Sequence, residues 1–445
     1  MFNKVLVANR GAIAARVIRA LCALGIKSAA VYSEADAHLG YLAQADEAWP
    51  IGPADPKASY LNQDALLDVM KKSGADGLHP GYGFLSENAE FASRVQASGA
   101  CFIGPDPKWI AAMGHKTRAR ELMARHGMVM APSSGLLGED IDAALRAAQM
   151  LGYPVLVKPA AGGGGIGMMR ARDAAELAKA LEQARSLSRR SFGSAEIYLE
   201  NLLERPRHIE FQVLADRHGN VRHVFERDCS IQRRYQKVLE ESPAPLLERA
   251  TVERTADHIV EVLRRLPYDV IGTVETLHEQ GDDFRFLEMN TRLQVEHAVT
   301  EEITGVDLVA AQVRLAAGAR LDEVLPPELQ TRGHAIEARL YAEDPVRFYP
   351  SPGPLKTYRI PTGPGIRVET GYAESDVVTP WYDPLVAKII AHGDTRAQAI
   401  ERLRQTLDGT VIAGIKHNIP FLLRVLNSEE FQAGRVHTGL ATQLA

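Results

Sequence analysis

Three observations in the sequence predict a mixed α/β and α+β chain of about three parts. Residues 1–112 alternate strand-like and helix-like runs, the βαβ order that builds a parallel sheet with helices on both faces. Residues 131–203 form a small module in which a strand ends at Lys158 and runs into four consecutive glycines. The stretch 284–301, FRFLEMNTRLQVEHAVTE, alternates apolar and polar side chains with the period of a strand, and a β-rich section follows at 351–392. A length of 445 residues suits about three domains and a large buried core.

Composition narrows the function classes. Hydrophobic residues make up 46% and charged residues 24%, with a formal net charge of -5, so no basic domain or stripe points to nucleic acid. The 3 cysteines, Cys22, Cys101 and Cys229, are scattered without a CxxC, which argues against a structural zinc site and for a reducing compartment. The first strand, near MFNKVLVANR, is too short and polar for a signal peptide, and no apolar run approaches membrane-spanning length. A cytoplasmic protein is expected.

The first part reads as strands at 5–8, 28–32, 77–79 and 101–103 and helices at 12–24 and 61–72. Its first strand-to-helix turn holds only Gly11, not the G-x-G-x-x-G of a dinucleotide site. HPGYGFLSEN at 79–88 is a punctuated loop whose polar tip, Ser86, Glu87 and Asn88, is expected at the carboxyl ends of the strands. Residues 113–130 read as one helix with Lys116 in its first turn.

In the small module, a strand at 153–157 leads into Gly162, Gly163, Gly164 and Gly165, followed by a helix from 173 to about 188. Four glycines cannot stabilise a strand, but their N–H groups can turn toward an anion. No G-K-[ST] follows, so this is not a P-loop; Lys158 would add its charge at the same phosphate. A strand at 196–200 precedes a hairpin, 208–216 and 220–228, around a turn at 217–219. The charged run CSIQRRYQKVLEESPAP follows, in which Glu240 and Glu241 are expected to offset Arg233, Arg234 and Lys237, and Lys237 is a cationic donor suited to a phosphate. Residues 301–320 read as helical, 334–343 as a strand carrying Arg339, and 395–407 as an amphipathic helix with Ile400, Leu403 and Leu407 on one face.

Read as one extended strand, 284–301 lines Glu288, Asn290, Arg292, Gln294 and Glu296 on one face and Leu287, Met289, Thr291, Leu293 and Val295 on the other. Burying the polar row without partners would cost several kcal/mol per group, so it faces water or a polar ligand. A second β-like run at 270–277 carries Glu275, and a turn at 281–283 would bring Glu275 beside Glu288 with Asn290 near. Such an oxygen-only set suits a hard divalent cation that bridges phosphates.

Taken together these residues resemble biotin carboxylase, the ATP-grasp component of acyl-CoA carboxylases such as acetyl-CoA carboxylase of fatty acid biosynthesis. The resemblance rests on ANRGAIAARVIRA, HPGYGFLSEN, FIGP, KPAAGGGGIGM, PRHIEFQV, ERDCSIQRRYQK, EMNTRLQVEH, GHAIEARLYAEDP and WYDPLVAKIIAHG, in that order along nearly the whole chain. It implies an N-terminal α/β domain at 1–112, an ATP-grasp region at 113–330 with a glycine-flap lid at 131–203, and a C-terminal α+β domain at 331–445 holding the active site.

The resemblance also implies a reaction in which ATP phosphorylates bicarbonate to carboxyphosphate, whose carbon dioxide is taken by the ureido nitrogen of biotin. By resemblance Lys116, Lys158, Gly162, Gly163, Gly164, Gly165 and Met168 hold the phosphates, Glu200 and Leu203 the adenine, and His208 the ribose side, with Gln232 and Tyr235 also at the nucleotide. Glu275, Glu288 and Asn290 would coordinate magnesium or manganese; Arg292, Gln294 and Val295 would seat bicarbonate, with Lys237 between it and the γ-phosphate. Glu296 is the implied general base and Arg339 the implied stabiliser of the biotin enolate. Ile166, Asn201, Tyr235, Thr276 and Ala12 depart from the family's commoner residues. The chain has no A-M-K-M turn, so biotin is expected on a separate carrier protein, the biotin carboxyl carrier protein. The carboxyltransferase is expected on a different chain, and the protein itself as a homodimer. The alternative is an ATP-grasp ligase that activates another carboxylate; it would keep Lys158, Glu275 and Glu288 but not Arg292, Gln294, Glu296 and Arg339 as a set.

Overall fold

A computed structural model describes residues 1–160, 167–281 and 283–445. The chain opens with β1 (Lys4–Val7), α1 (Gly11–Ala23), β2 (Lys27–Tyr32), β3 (Glu47–Pro50), α2 (Gln63–Ser73), β4 (Gly77–His79), α3 (Ala89–Ala97) and β5 (Cys101–Phe102). The five strands form a parallel sheet in the order β3-β2-β1-β4-β5, as the βαβ rhythm predicts. β3 and α3 have no counterpart in the sequence reading: β3 is four residues with two exposed, and α3 starts inside the polar loop tip, where the Asn88 side chain accepts from the Phe91 N–H as its cap.

A helix not expected, α4 (Pro107–Met113), precedes the one expected at 113–130, which is α5 (Lys116–Arg125), shorter at both ends and with Lys116 at its first position. The next segment is a four-stranded antiparallel lid in the order β6-β9-β7-β8, made of β6 (Ser133–Leu137), β7 (Val155–Pro159), β8 (Met169–Ala171) and β9 (Ile197–Asn201). The lid is backed by α6 (Ile141–Leu151) and α7 (Ala174–Phe192), whose Leu177 and Leu181 pack with Val155, Val157 and Ile197 in a core of its own.

The centre is an eight-stranded sheet. It takes in β10 (Arg207–Ala215), β11 (Val221–Arg233), β12 (Gln236–Ser242), β13 (Val270–His278), β14 (Phe284–Asn290) and β15 (His334–Tyr341). Short strands β16 (Gly353–Pro354) and β17 (Thr357–Arg359) precede β18 (Ile366–Thr370), then β19 (Val377–Val378), β20 (Leu385–Gly393) and β21 (Val411–Ala413). The order is β14-β13-β10-β11-β12-β15-β20-β18, so strands before and after residue 331 share one sheet. The amphipathic helix α8 (Arg249–Arg265) packs against β11, and α9 (His297–Thr304) packs against β11, β12, β15 and β20.

Opposed residues of antiparallel strands share a face, and the registers here thread charge across the sheet. Glu288 opposes Glu275, Glu275 opposes Glu210, and Glu210 opposes Arg227. Farther along, Glu240 opposes Glu337, Arg339 opposes Lys388, and Lys388 opposes Glu369. The face is closed by α9, whose Thr300 hydroxyl accepts from Arg227 at 3.0 Å.

The acids in the charged run do not neutralise its own lysine and arginines. Glu240 meets Arg339 at 2.6 Å, Glu241 takes hydrogen bonds from His334 at 2.7 Å and Arg396 at 2.7 Å, and Arg233 pairs with Glu343 at 2.6 Å. The fold aligns these groups with partners distant in sequence rather than with their chain neighbours. Burial works to raise the Glu241 pKa, but His334 and Arg396 outweigh it and hold the group down to about 2. A depressed carboxylate contributes stability above its unfolded value and loses it as pH falls toward the folded one. Glu241→Gln should therefore lower stability by about 3 kcal/mol at neutral pH, with the difference shrinking between about pH 4.5 and pH 2. Denaturant titrations of both proteins across that range check it; a gap independent of pH would contradict the ion-pair account.

Candidate active site

Strand β14 is not the uniform ribbon that alternation predicts. Glu275 pairs with Glu288, yet Thr276 pairs with Phe286, so β14 spends an extra residue, Leu287, at a bulge. The bulge resolves a conflict in the sequence. Phe284, Phe286 and Met289 all pack in one core, which strict alternation forbids. With one residue inserted, Leu287 and Glu288 both border the cleft and Asn290 follows. The strand then ends at Asn290; residues 291–296 turn, and Glu296 occupies the N-cap of α9. The reading of 284–301 as one strand is thus corrected, although its polar residues do reach one site. Thr291 and Leu293 are buried, but Leu287 and Val295, assigned to the apolar face, border the cleft.

The cleft, of about 820 Å³, lies between the lid, the N-terminal sheet and the charged face of the central sheet. Lys116, Lys158, Met168, Glu200, Leu203, His208, Gln232, Tyr235 and Lys237 border it. So do Glu275, Glu288, Asn290, Arg292, Gln294, Val295 and Arg339. Gly162, Gly163, Gly164, Gly165 and Ile166 lie outside the described residues. The cleft is not confined to the C-terminal part: of the residues just named only Arg339 follows residue 331, where Tyr341, Trp381 and Asp383 also border it.

At the centre is Lys237. Its ammonium lies 2.6 Å from Glu210, 3.1 Å from Glu275 and 2.5 Å from Glu296. Burial works against the charge, but the surrounding Cys229, Glu210, Glu275 and Glu296 hold its pKa well above the ordinary lysine value. Burial likewise pushes Glu275 up, and Lys237 and His208, the latter 2.9 Å away, overcome it and hold the carboxylate below its ordinary value. Asn290 and Gln294 each donate an amide N–H to Glu275, at 2.8 and 3.1 Å. Glu296 is fully buried behind Lys237, with Arg339 at 2.9 Å on its other oxygen. Burial raises it, yet Lys237, Arg339 and Arg227 keep it ionised, well below the usual carboxylate range.

Arg292 forms the opposite wall. It donates to Glu87 at 2.9 Å, to Gln294 at 3.0 Å and to Asn290 at 2.8 Å, so the loop tip at 79–88 does reach the site. Lys116 stands 3.3 Å from Glu288. Under the lid, Lys158 and Arg120 clamp Glu200 at 2.6 and 2.7 Å, and Gln232 donates to the His208 ring at 2.6 Å. Tyr235 sits 45% exposed on the β11–β12 turn, where Arg234 and Tyr235 both take left-handed backbone angles, φ 49 and 66. Left-handed backbone costs an L-residue about 1–2 kcal/mol, and the tight turn imposes it twice beside the cleft.

Residues that the sequence reading passed over complete this geometry. Glu210 bridges Lys237 to Arg227, which reaches it at 2.5 Å. Its signal was legible: His208, Glu210 and Gln212 alternate with Ile209, Phe211 and Val213 as Glu288 and Asn290 do in their strand. Arg120 carried no such sign, because its partner Glu200 is distant in sequence, and Glu240, read as an offset to its neighbours, pairs instead with the distant Arg339.

Glu275 and Glu288 face each other across the hairpin, with Asn290 two residues further along β14, its amide N–H on Glu275 and its amide oxygen accepting from Arg292. Facing carboxylates with an oxygen-bearing amide fit a magnesium ion, and lysines from two directions already neutralise them here. The lid over an antiparallel sheet, with lysines gathered at facing acids, defines an ATP-using ligase of the ATP-grasp class. Three family models cover the chain: Biotin carboxylase, N-terminal domain, at 1–110; Carbamoyl-phosphate synthase L chain, ATP binding domain, at 115–324; and Biotin carboxylase C-terminal domain at 337–443. Biotin carboxylase of Halalkalibacterium halodurans is 48% identical over 442 residues, 99% of this chain and 98% of that protein. The 2-oxoglutarate carboxylase small subunit of Hydrogenobacter thermophilus is 44% identical over 98% of this chain and 93% of its own length. Among solved structures, the biotin carboxylase domain dimer of Hydrogenobacter thermophilus 2-oxoglutarate carboxylase, with MgADP, ADP and bicarbonate, matches at TM-score 0.95. It is 43% identical and covers 100% of this chain and 98% of its own. Biotin carboxylase of Campylobacter jejuni in a βγ-ATP complex matches at TM-score 0.96 and 39% identity, covering 100% and 99%. The chain belongs to the biotin carboxylase family.

Proposed function

We propose that this chain uses ATP to carboxylate biotin with bicarbonate, through carboxyphosphate, as the first half-reaction of a biotin-dependent carboxylase. The observation that carries this reading is the placing of Lys237 and Arg339 on the two oxygens of Glu296, beside Arg292, Gln294 and Val295. A ligase activating another carboxylate has no use for that set.

Lys116 and Lys158 hold the phosphates with Met168 and the glycine run, and Glu200 and Leu203 meet the adenine. The support for Lys116, Lys158, Met168, Glu200 and Leu203 is their shared wall of the cleft. Glu275, Glu288 and Asn290 would hold magnesium or manganese, which would supply positive charge against that developing on the phosphates. Bicarbonate sits on Arg292, Gln294 and the Val295 N–H. One of its oxygens attacks the γ-phosphorus, the bond from that phosphorus to the ADP oxygen breaks, and Glu296 takes the bicarbonate proton.

The depressed pKa of Glu296 suits a base only partly, since proton transfer is best when the pKa lies near the working pH. Its partner Lys237 is the group positioned to turn to the transferring phosphoryl. Once Lys237 shifts to phosphate oxygen, Glu296 loses its nearest cation and gains basicity when its proton must be accepted. Carboxyphosphate then splits to carbon dioxide and phosphate, and biotin attacks the carbon dioxide through its ureido nitrogen. Arg339, borne on β15 and bordering the cleft, stabilises the enolate as the ureido proton passes to the released phosphate.

Biotin arrives on a carrier protein and leaves for a carboxyltransferase on a different chain, with the protein itself a homodimer in the cytoplasm. The support is that relatives are subunits of pyruvate and 2-oxoglutarate carboxylases and that one structural neighbour is a dimer. No helix among the described residues is long and apolar enough to cross a membrane. The test is ADP release from ATP and magnesium. It should require bicarbonate and rise with biotin; release driven by an amino acid from a panel, with bicarbonate inert, would favour the other ligase reading.

A further inference from the structure

We propose that Lys388 is a positioning residue that aims the bicarbonate loop, an inference that rests on the carboxylation reading above. Lys388 interrupts the apolar run LVAKIIAHG in mid-strand β20 and is 0% exposed. An ammonium so placed is costly unless it is paired. Its Nζ donates to the Val295 carbonyl at 2.5 Å and lies 3.0 Å from Glu369 and 3.5 Å from Glu337.

Charge balance alone does not require the carbonyl contact. Glu369 is already served by Arg367 and, at 3.5 Å, by Arg16. What the Val295 contact adds is direction. The peptide is planar and trans, so fixing a carbonyl fixes the whole unit, with the N–H pointing oppositely. Lys388 holds the Val295–Glu296 unit by its carbonyl, just where Glu296 begins α9. The unit before it is held by the ring of His297, whose Nδ1 lies 2.8 Å from the Gln294 carbonyl. Burial keeps that imidazole neutral, leaving Nδ1–H free to donate. With both carbonyls drawn away from the cleft, the Val295 N–H turns toward it, and Glu296 is presented to Lys237 and Arg339. Bicarbonate would feel the loss of this anchor and the nucleotide would not, because among the described residues the polar contacts of Lys388 are to Val295, Glu337 and Glu369 and none is on the adenine or phosphate wall.

The experiment compares the parent, Lys388→Met and the charge-balanced double variant Glu337→Gln with Lys388→Met. It reads the KM for bicarbonate and the KM for ATP in bicarbonate-dependent ADP release, with ADP binding by calorimetry. Both variants should raise the bicarbonate KM by about tenfold or more, the loss of one charged hydrogen bond, while ATP KM and ADP affinity stay near the parent's. A double variant with the parent's bicarbonate KM would overturn the proposal, since Lys388 would then only neutralise Glu337. Equal loss in kcat with both KM values unchanged would overturn it too, as the mark of a smaller folded fraction. Should Lys388→Met not fold, the double variant decides alone. A parent without bicarbonate-dependent release rejects the carboxylation reading itself, a result distinct from a working parent with indifferent variants.

Discussion

Lys237→Gln should lower bicarbonate-dependent ADP release by about a hundredfold to a thousandfold, the scale of losing one preorganised donor at developing charge. The ammonium stands within 3.1 Å of Glu210, Glu275 and Glu296, and the proposed reaction brings the γ-phosphate and bicarbonate together beside it. Glutamine keeps much of the volume and can donate, but it leaves three buried carboxylates facing one another. Raised magnesium should therefore recover some nucleotide binding without recovering turnover. Stopped-time ADP measurements with saturating bicarbonate make the comparison. A variant near the parent rate would mean that the phosphoryl charge is met elsewhere.

Glu296→Ala is the second large effect. Biotin carboxylation should fall by about 10² to 10⁴, the usual contribution of a general base. Nucleotide binding should persist, because the loss is tolerated locally: Lys237 keeps Glu210 and Glu275, and Arg339 keeps Glu240. In the free protein Glu296 is held ionised far below neutrality, so its own protonation should leave no inflection in the kcat/KM profile across the neutral range. Labelled bicarbonate incorporation with calorimetric ADP titration tests both halves. Carboxylation that survives the alanine would remove Glu296 from the base role.

Much of the architecture follows from local pattern. The βαβ rhythm foretold the parallel sheet, and the hairpin that pairs Glu275 with Glu288 was legible because two alternating runs flank a tight turn. Alternation failed at Leu287, where side-chain volume intervened: Phe284, Phe286 and Met289 all needed the same core, and a bulge was the way to bury them while Glu288 kept the cleft. The loop 291–296 reached the site as a turn into α9 rather than as a strand, held locally by His297 at the start of α9 and by Lys388 and Arg339 from strands that periodicity cannot connect to it.

The sequence by itself determined which chemistry is available: lysines, facing acids, an arginine and an amide row whose types and spacing suit phosphate, magnesium and a small anion. Only the tertiary structure decided which of them meet. Glu240 serves Arg339 rather than its neighbouring arginines, and Glu210 completes the lysine cage, because strand register across the central sheet sets their distances. Residue type follows from local demand, whereas a charged contact falls off within a few ångströms and depends on partners far away in the chain.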